Sequence, residues 1–267
     1  MKTLKTGFVG VLIGLSGIFV SCELFEDANN PLTEGEVVQG LKEALDIGLS
    51  NSVTSASSVD GYLKNEIIKI LLPSEVADLQ AKIETESIGG IVPLSVVYDA
   101  YVEIENDGND LFEELITAMN KGAENAASKA LPIFGNAIVT MSITDAFDIL
   151  NGHETAATDY FFQNTSQQLF TAFNPDVKSA LDATGANQIY TTTAEFLNYE
   201  YDPTGLGLST VSPSDVLNVE LPNSIDEYAT TKAIDGLFFL IGEEEKKIRE
   251  DPFAWGSAII ERVFGSN

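Results

Sequence analysis

Apolar residues recur at helical spacing through most of the chain. In "GEVVQGLKEALDIGLSNSV", residues 35–53, Val37, Leu41, Leu45 and Leu49 stand four apart, the repeat of one helix face. A second helix is predicted over "GYLKNEIIKILL" (61–72), stopped by Pro73, and Ser74 caps a third through "EVADLQAKIETES", ended by Gly89-Gly90. Asp110 and Glu113 form a capping-box pattern ahead of "LFEELITAMNKGAENAASKAL", and Pro132 interrupts the chain before "IFGNAIVTM". Thr144 is read as the cap of "DAFDIL" (145–150). Further helices are expected over 152–173, over "PDVKSALDAT" after Asn174, and from Ala186 to Tyr199. The longest runs over 224–250, with the stripe Tyr228, Ile234, Leu237, Phe238, Ile241 and Ile248 and with Glu243–Lys247 and Glu245–Arg249 pairs at spacing four. Pro252 closes it, and "FAWGSAIIERVF" makes a last short helix.

Two segments break this rhythm. In "LSVVYDAYVEIE", 94–105, Leu94, Val96, Tyr98, Ala100, Val102 and Ile104 alternate with mostly polar neighbours, which predicts a half-buried strand. A helix can also be drawn there through Leu94, Val97, Tyr98 and Tyr101. "VLNVEL", 216–221, alternates too, after a loop rich in Gly, Pro and Ser. A lone strand leaves its backbone groups unpaired, so these two are expected to pair as a ribbon. The fold class that follows is mainly α: a multi-helix globular bundle with a small two-stranded β ribbon.

The first 21 residues carry Lys2 and Lys5 ahead of an apolar run from Gly7 to Val20. An export-signal core needs about 7–15 apolar residues, a membrane-spanning helix about 20. The run reads as a signal peptide. The single cysteine, Cys22, follows it directly after "FVS", an arrangement similar to the lipobox of bacterial lipoproteins, in which the cysteine is acylated and becomes the first mature residue. The expectation is an exported outer-membrane lipoprotein held at Cys22, facing the periplasm or the cell surface. "ELFED" after Cys22 resembles an acidic surface-export tag. Residues 22–34 then form an acidic tether and 35–267 one helical domain.

Charge narrows the partners. The chain has 14 basic and 41 acidic residues, a net charge of −27; without the leader's two lysines this becomes −29. Nucleic acid and anionic headgroups need basic patches, so neither is an expected partner. Only Arg249 and Arg262 are arginines, which argues against paired-guanidinium phosphate clamps. Hydrophobic content of 44% belongs to a folded globule.

Candidate chemistry centres on "NGHETAATDYFFQNTSQQLF", 151–170, which holds the single histidine, His153. On a helix over 152–173, Glu154, Thr158 and Thr165 share the face of Phe161, Leu169 and Phe173; Asp159 lies at its edge and His153 points away. These four polar residues are candidate ligand-facing groups. The competing reading makes Asn151 the N-cap, Glu154 its capping-box partner, and the threonines donors to carbonyls one turn back. His153 lacks a Ser-His-Asp context, since no G-x-S-x-G occurs, and a zinc site wants three or four ligands. No catalytic residue, metal site or cofactor is therefore assigned. "EIENDGNDLFEE", 103–114, can be laid on a calcium-loop template with Glu105, Asp107, Gly108 and Glu114 in place, but Glu103 and Asp110 do not fit it; a loop entering a capped helix explains the same residues.

Four stretches resemble a bacterial family, domain of unknown function 4197: "LKEALDIGLSNSV" (41–53), "AASKALPIFGNAIVTMSITDAFDIL" (126–150), "AATDYF" with Thr165, and "KAIDGLFFLIGEEEKKIREDP" (232–252). The resemblance runs over about 36–264, with departures near 85–107 and 202–221 that look like insertions. It implies an exported helical protein and brings no activity with it. Glu243, Glu244, Glu245, Lys247 and Arg249 match the family's charged motif. The expected function is that of a non-enzymatic binding or structural envelope module for a protein partner or an apolar small molecule. A carboxylate-dependent hydrolase and a divalent-cation binder are the alternatives.

Overall fold

The computed structural model describes residues 31–183, 185–207, 210–217, 219, 221 and 224–265. Residues 1–30, on which the expected leader, the lipidation at Cys22 and most of the expected tether fall, lie outside the described residues. Ten α-helices carry the described fold: α1 (Glu34–Ala56), α2 (Ser74–Thr85), α3 (Leu94–Glu105), α4 (Leu111–Ala127), α5 (Ala130–Thr140), α6 (Ile143–Leu150), α7 (Ala156–Ala183), α8 (Ala186–Phe196), α9 (Asp226–Glu250) and α10 (Ala258–Phe264). The mainly α class read from the sequence holds.

α7 is the axis of the bundle. It packs chiefly on α4 and α9, while α1 lies against α9 and α10. Ala157, Phe161, Thr165, Leu169, Phe173 and Val177 repeat every four residues and are all buried. This buried column continues past Pro175, so the separate helix expected after Asn174 is the second half of α7. Proline removes one backbone hydrogen bond; burial of Phe173 before it and Val177 after it holds the helix through the gap.

Several expectations are corrected. Residues 94–105 are helix α3, not a strand: Leu94, Val97, Tyr98, Tyr101 and Val102 are buried, the i, i+3, i+4, i+7, i+8 pattern of a helix face. The ribbon is instead β1 (Ser87–Ile88) and β2 (Val92–Pro93), antiparallel and turned at Gly89-Gly90, both with positive φ. The ribbon therefore lies between α2 and α3 and does not join residues 94–105 to 216–221. Residues 216 and 217 are no strand either; in that region Tyr201 and Val211 form a single antiparallel bridge.

Residues 61–72 form turns rather than a helix. The cause is side chains that take over their backbone groups. Buried Asn120 of α4 accepts the Ile70 N–H at 2.8 Å and donates to the Ile70 carbonyl at 2.8 Å. Glu124 accepts the N–H groups of Tyr62 and Leu63, and the Tyr228 hydroxyl donates to the carbonyls of Leu71 and Leu72. The buried Tyr62 hydroxyl donates to the Ala233 carbonyl at 2.6 Å.

Helix ends differ in detail. Pro73, not Ser74, is the N-cap of α2. α4 ends at Ala127 with Ser128 as its C-cap, before Pro132, which falls in the first turn of α5, where a missing N–H costs nothing. Ser142, not Thr144, caps α6 through a complete box with Asp145. The last short helix divides into a 3₁₀ turn (Pro252–Trp255) and α10, separated at Gly256, whose φ is +64°.

Candidate functional site

Among the described residues, Glu245 is the only charged residue that is buried, at 7% exposure. It lies on α9 in line with Ile234, Phe238, Ile241 and Ile248, an acid inside an apolar stripe. Antiparallel packing of α9 on α7 points it at the first turn of α7, where the opening helix leaves N–H groups unpaired. Glu245 Oε1 accepts the Ala157 N–H at 2.9 Å, and Oε2 accepts the Thr158 N–H at 2.9 Å and the Thr158 hydroxyl at 2.8 Å. A carboxylate at a helix N-terminus is also favoured by the helix dipole.

One turn along α9, Arg249 completes the arrangement. Its Nε and Nη2 donate to Glu245 Oε1 at 3.1 and 2.9 Å. Nη2 and Nη1 also donate to the carbonyls of Ile149 and Leu150 at 2.7 and 3.3 Å, at the C-terminal end of α6. The guanidinium carbon lies 6.0 Å from the Phe264 ring centre. The negative group thus meets the positive end of α7, and the positive group meets the negative end of α6. Together they close the α6–α7 corner from a third helix. Gly242, one turn before Glu245, faces the same turn: a Cβ there would stand 3.6 Å from the Thr158 hydroxyl, an ordinary van der Waals contact.

The residues singled out from the sequence separate in space. Thr158 belongs to the Glu245 centre. Thr165 is buried seven residues further along α7 and donates to the Phe161 carbonyl at 2.6 Å. Glu154 is exposed in the turn before α7, and Asn151 is the C-cap of α6, so neither the ligand-facing placement nor the Asn151–Glu154 capping box forms. α7 begins four residues later than expected, and the cap is supplied by α9 across the fold. Asp159 is exposed and pairs with His153 Nε2 at 3.2 Å, while His153 Nδ1 meets the Thr155 N–H and hydroxyl. His153 thus stabilises the exposed side of the same turn. In the calcium-like stretch, Asp110 caps α4, Glu114 accepts from Asn106, and the Asp107-Gly108 pair makes the turn with positive φ. Among the described residues no three His, Cys, Asp or Glu side chains converge as a metal-binding group.

Of the charged pairs expected on α9, Glu245–Arg249 forms; Glu243 pairs instead with Lys246 and Glu244 with Lys247. Glu244 also accepts from Asn51 of α1. The signal for Glu245 was present in the sequence as an acid at a core position of the α9 stripe, though its partners on α7, and those of Arg249 on α6, are about 90–100 residues away.

A cavity of about 20 Å³ adjoins this centre, lined by Leu45, Gly48, Phe161, Ile241, Glu245 and neighbouring apolar groups. That is room for about one water, whereas small-molecule pockets run to about 300–1,000 Å³. A larger open groove of about 570 Å³ lies between α1 and α5, bordered by Gln39, Lys42, Glu43 and Asp46 of α1 and by Ile138 and Val139 of α5, with Gly35 and Gly135 along it.

Neither a curated protein nor a solved structure matches the chain. A family model described as "Protein of unknown function (DUF4197)" matches residues 31–93 and 103–265, leaving out only part of α3 between them. Its match takes in the Glu245–Arg249 clamp, the α6–α7 corner and the bundle around them, and the chain belongs to the DUF4197 family.

Proposed function

We propose that this protein is an exported, lipid-anchored component of the cell envelope that acts without catalysis, as a binding or structural module engaging another protein. The observation that carries the non-enzymatic reading is the state of Glu245. A general acid, base or nucleophile needs a free lone pair or proton aimed at a substrate. Both oxygens of Glu245 are instead occupied by two backbone amides, a hydroxyl and a guanidinium of the same chain. The most chemically distinctive group in the fold joins helices.

The choice of a protein partner over an apolar small molecule is supported by volume. The enclosed cavity, about 20 Å³, has no room for such a ligand, and the larger α1–α5 groove is open and bordered by the polar side chains of Gln39, Lys42, Glu43 and Asp46. Export and anchoring are supported by the apolar leader and by Cys22 directly behind it, and an outer-membrane location facing the periplasm or the cell surface is part of the same reading.

The test is to isolate the protein from its native membranes with mild detergent and measure it by native mass spectrometry beside the Cys22→Ala form. The expected wild-type spectrum shows a diacyl or triacyl mass increment and a stoichiometric second protein. An unmodified Cys22 overturns the anchor, and a lipidated but solitary monomer overturns the protein-binding role.

A further inference from the structure

We propose that the elbow between α5 and α6 rests on the lipid surface that carries the anchor, with the side chains of Leu131, Val139 and Ile143 in the headgroup–acyl boundary. The inference depends on Cys22 being acylated, and extends that reading to the orientation of the domain.

Three independent observations support it. The first is composition. In a chain where 21% of residues are charged, residues 130–144, "ALPIFGNAIVTMSIT", carry no charge at all. Leu131, Val139 and Ile143 are nevertheless 42%, 76% and 56% exposed. No single helix among the described residues is long and apolar enough to cross a membrane; α5 and α6 reach that apolar content only as a pair, and they are bent by 106°. A pair bent that sharply makes no straight span, and its elbow can lie along one surface.

Backbone chemistry gives the second. Polar backbone groups near hydrocarbon must find partners within the protein. At this elbow the Lys42 ammonium of α1 reaches the carbonyls of Val139 and Met141 at 3.4 and 3.5 Å. The Thr140 hydroxyl donates to the Asn136 and Ala137 carbonyls, and Ser142 and Asp145 satisfy each other's N–H groups. Lys42 lines the α1–α5 groove beside Glu43 and Asp46, and its long stem lets the charge stay in the headgroup layer.

Position is the third. The α1–α5 groove begins at Gly35, in the first turn of α1. From Cys22 to Thr33 the chain has twelve residues, at most about 40 Å when fully extended. An anchor on that tether keeps this end of the bundle close to the bilayer and raises the local concentration of lipid surface at the elbow. The surface must be close to neutral, because a mature chain with 41 acidic residues is repelled by anionic headgroups.

The experiment uses the lipidated full chain in phosphatidylcholine vesicles. Cys22 is the only cysteine and is consumed by acylation, so spin labels can be placed singly through Val139→Cys, Ile143→Cys and, as a control at the exposed β1–β2 turn, Ile91→Cys. Collision rates with oxygen and with a nickel chelate are then compared. The expected result is an oxygen-to-nickel ratio several-fold higher at 139 and 143 than at 91, falling when phosphatidylglycerol is mixed in. Ratios equal to that at 91, in protein shown by mass to be lipidated, overturn the contact and leave the anchor standing. Dipolar broadening between 139 labels that disappears on dilution with unlabelled protein overturns it in favour of a second copy. Failure of acylation itself overturns the reading on which the contact depends.

Discussion

Glu245 and Thr158 meet twice across 87 residues of chain: one carboxylate oxygen accepts both the backbone N–H and the hydroxyl of Thr158, at 2.9 and 2.8 Å. The contact makes the start of α7 dependent on α9. An ordinary N-cap comes from the residue just before the helix. Here His153, Glu154 and Thr155 only shape the turn, and the cap arrives from another part of the fold.

Removal of this cap is the first test of the fold. Glu245→Ala strips the Ala157 and Thr158 amides of their acceptor and leaves Arg249 without its carboxylate, in a place largely closed to water. Breaking a buried pair in this way costs about 3–5 kcal/mol. Glu245→Gln keeps the shape and one acceptor oxygen, and its loss is expected near 1–2 kcal/mol. Urea unfolding followed by circular dichroism checks both. If the Ala and Gln variants unfold at the wild-type midpoint, the clamp does not hold the α6–α7 corner.

The second test concerns the irregular 61–72 segment. Asn120 gives Ile70 both an acceptor and a donor, as a neighbouring strand would, and sends its second amide hydrogen to the Ile116 carbonyl at 2.7 Å. Asn120→Ala leaves a buried N–H and carbonyl unmet, for a loss of about 2–3 kcal/mol. The site-specific readout is amide exchange. The Ile70 N–H should lose protection in the variant while α9 amides such as Leu237 keep theirs; uniform loss across both would mean that Asn120 supports the whole core and not this segment.

These two sites also show what could be read from the chain. Helices with an unbroken apolar stripe, such as α1 and α9, were legible because their periodicity reflects burial on one face. Residues 94–105 misled because Val96, Ala100 and Ile104 complete an alternating pattern, although Val96 and Ile104 are exposed. What decides is which of two apolar sets meets a neighbour, and that is a tertiary fact. Residues 61–72 misled because their helix-breaking partners, Asn120, Glu124 and Tyr228, are remote in sequence. In the same way Glu154 was three residues from a cap-forming asparagine, while the true cap was at Glu245. Local capping rules do not register a competitor from another helix.

Alkaline titration tests the aromatic core. Tyr101 donates to the Thr192 carbonyl at 2.8 Å, and burial, with the nearby charge of Glu195 adding to it, pushes its hydroxyl up to about 12. Burial raises Tyr62 and Tyr98 too. A folded value above the unfolded one, about 10, means that these phenols favour the folded state fully below pH 10 and lose that contribution as pH rises toward 12. Absorbance at 295 nm should therefore show some of the eight tyrosines ionising late, together with the loss of helical signal. Tyr101→Phe should remove one late-titrating group. A single transition near pH 10 with the helices intact would contradict this burial.

Glycines on the two sides of α1 make opposite predictions for the same chemical change. In a helix, Gly→Ala stabilises by about 1 kcal/mol through backbone entropy where the methyl group has space. Gly35 of α1 and Gly135 of α5 face the open groove, with nothing within 4 Å of an added Cβ. Gly40 faces α10, where the Cβ would stand 2.6 Å from Val263 Cγ2 and 3.1 Å from the Ile259 carbonyl oxygen. The side chain could turn aside, but the carbonyl moves only with α10 itself. Overpacking of this kind costs about 1–3 kcal/mol and outweighs the propensity gain. Gly35→Ala and Gly135→Ala should therefore raise the unfolding midpoint, while Gly40→Ala should lower it and expose α10 amides to exchange. A Gly40→Ala protein as stable as Gly35→Ala would show that α10 does not pack on α1 at this distance. A destabilised Gly135→Ala would show that a bound group already fills the groove.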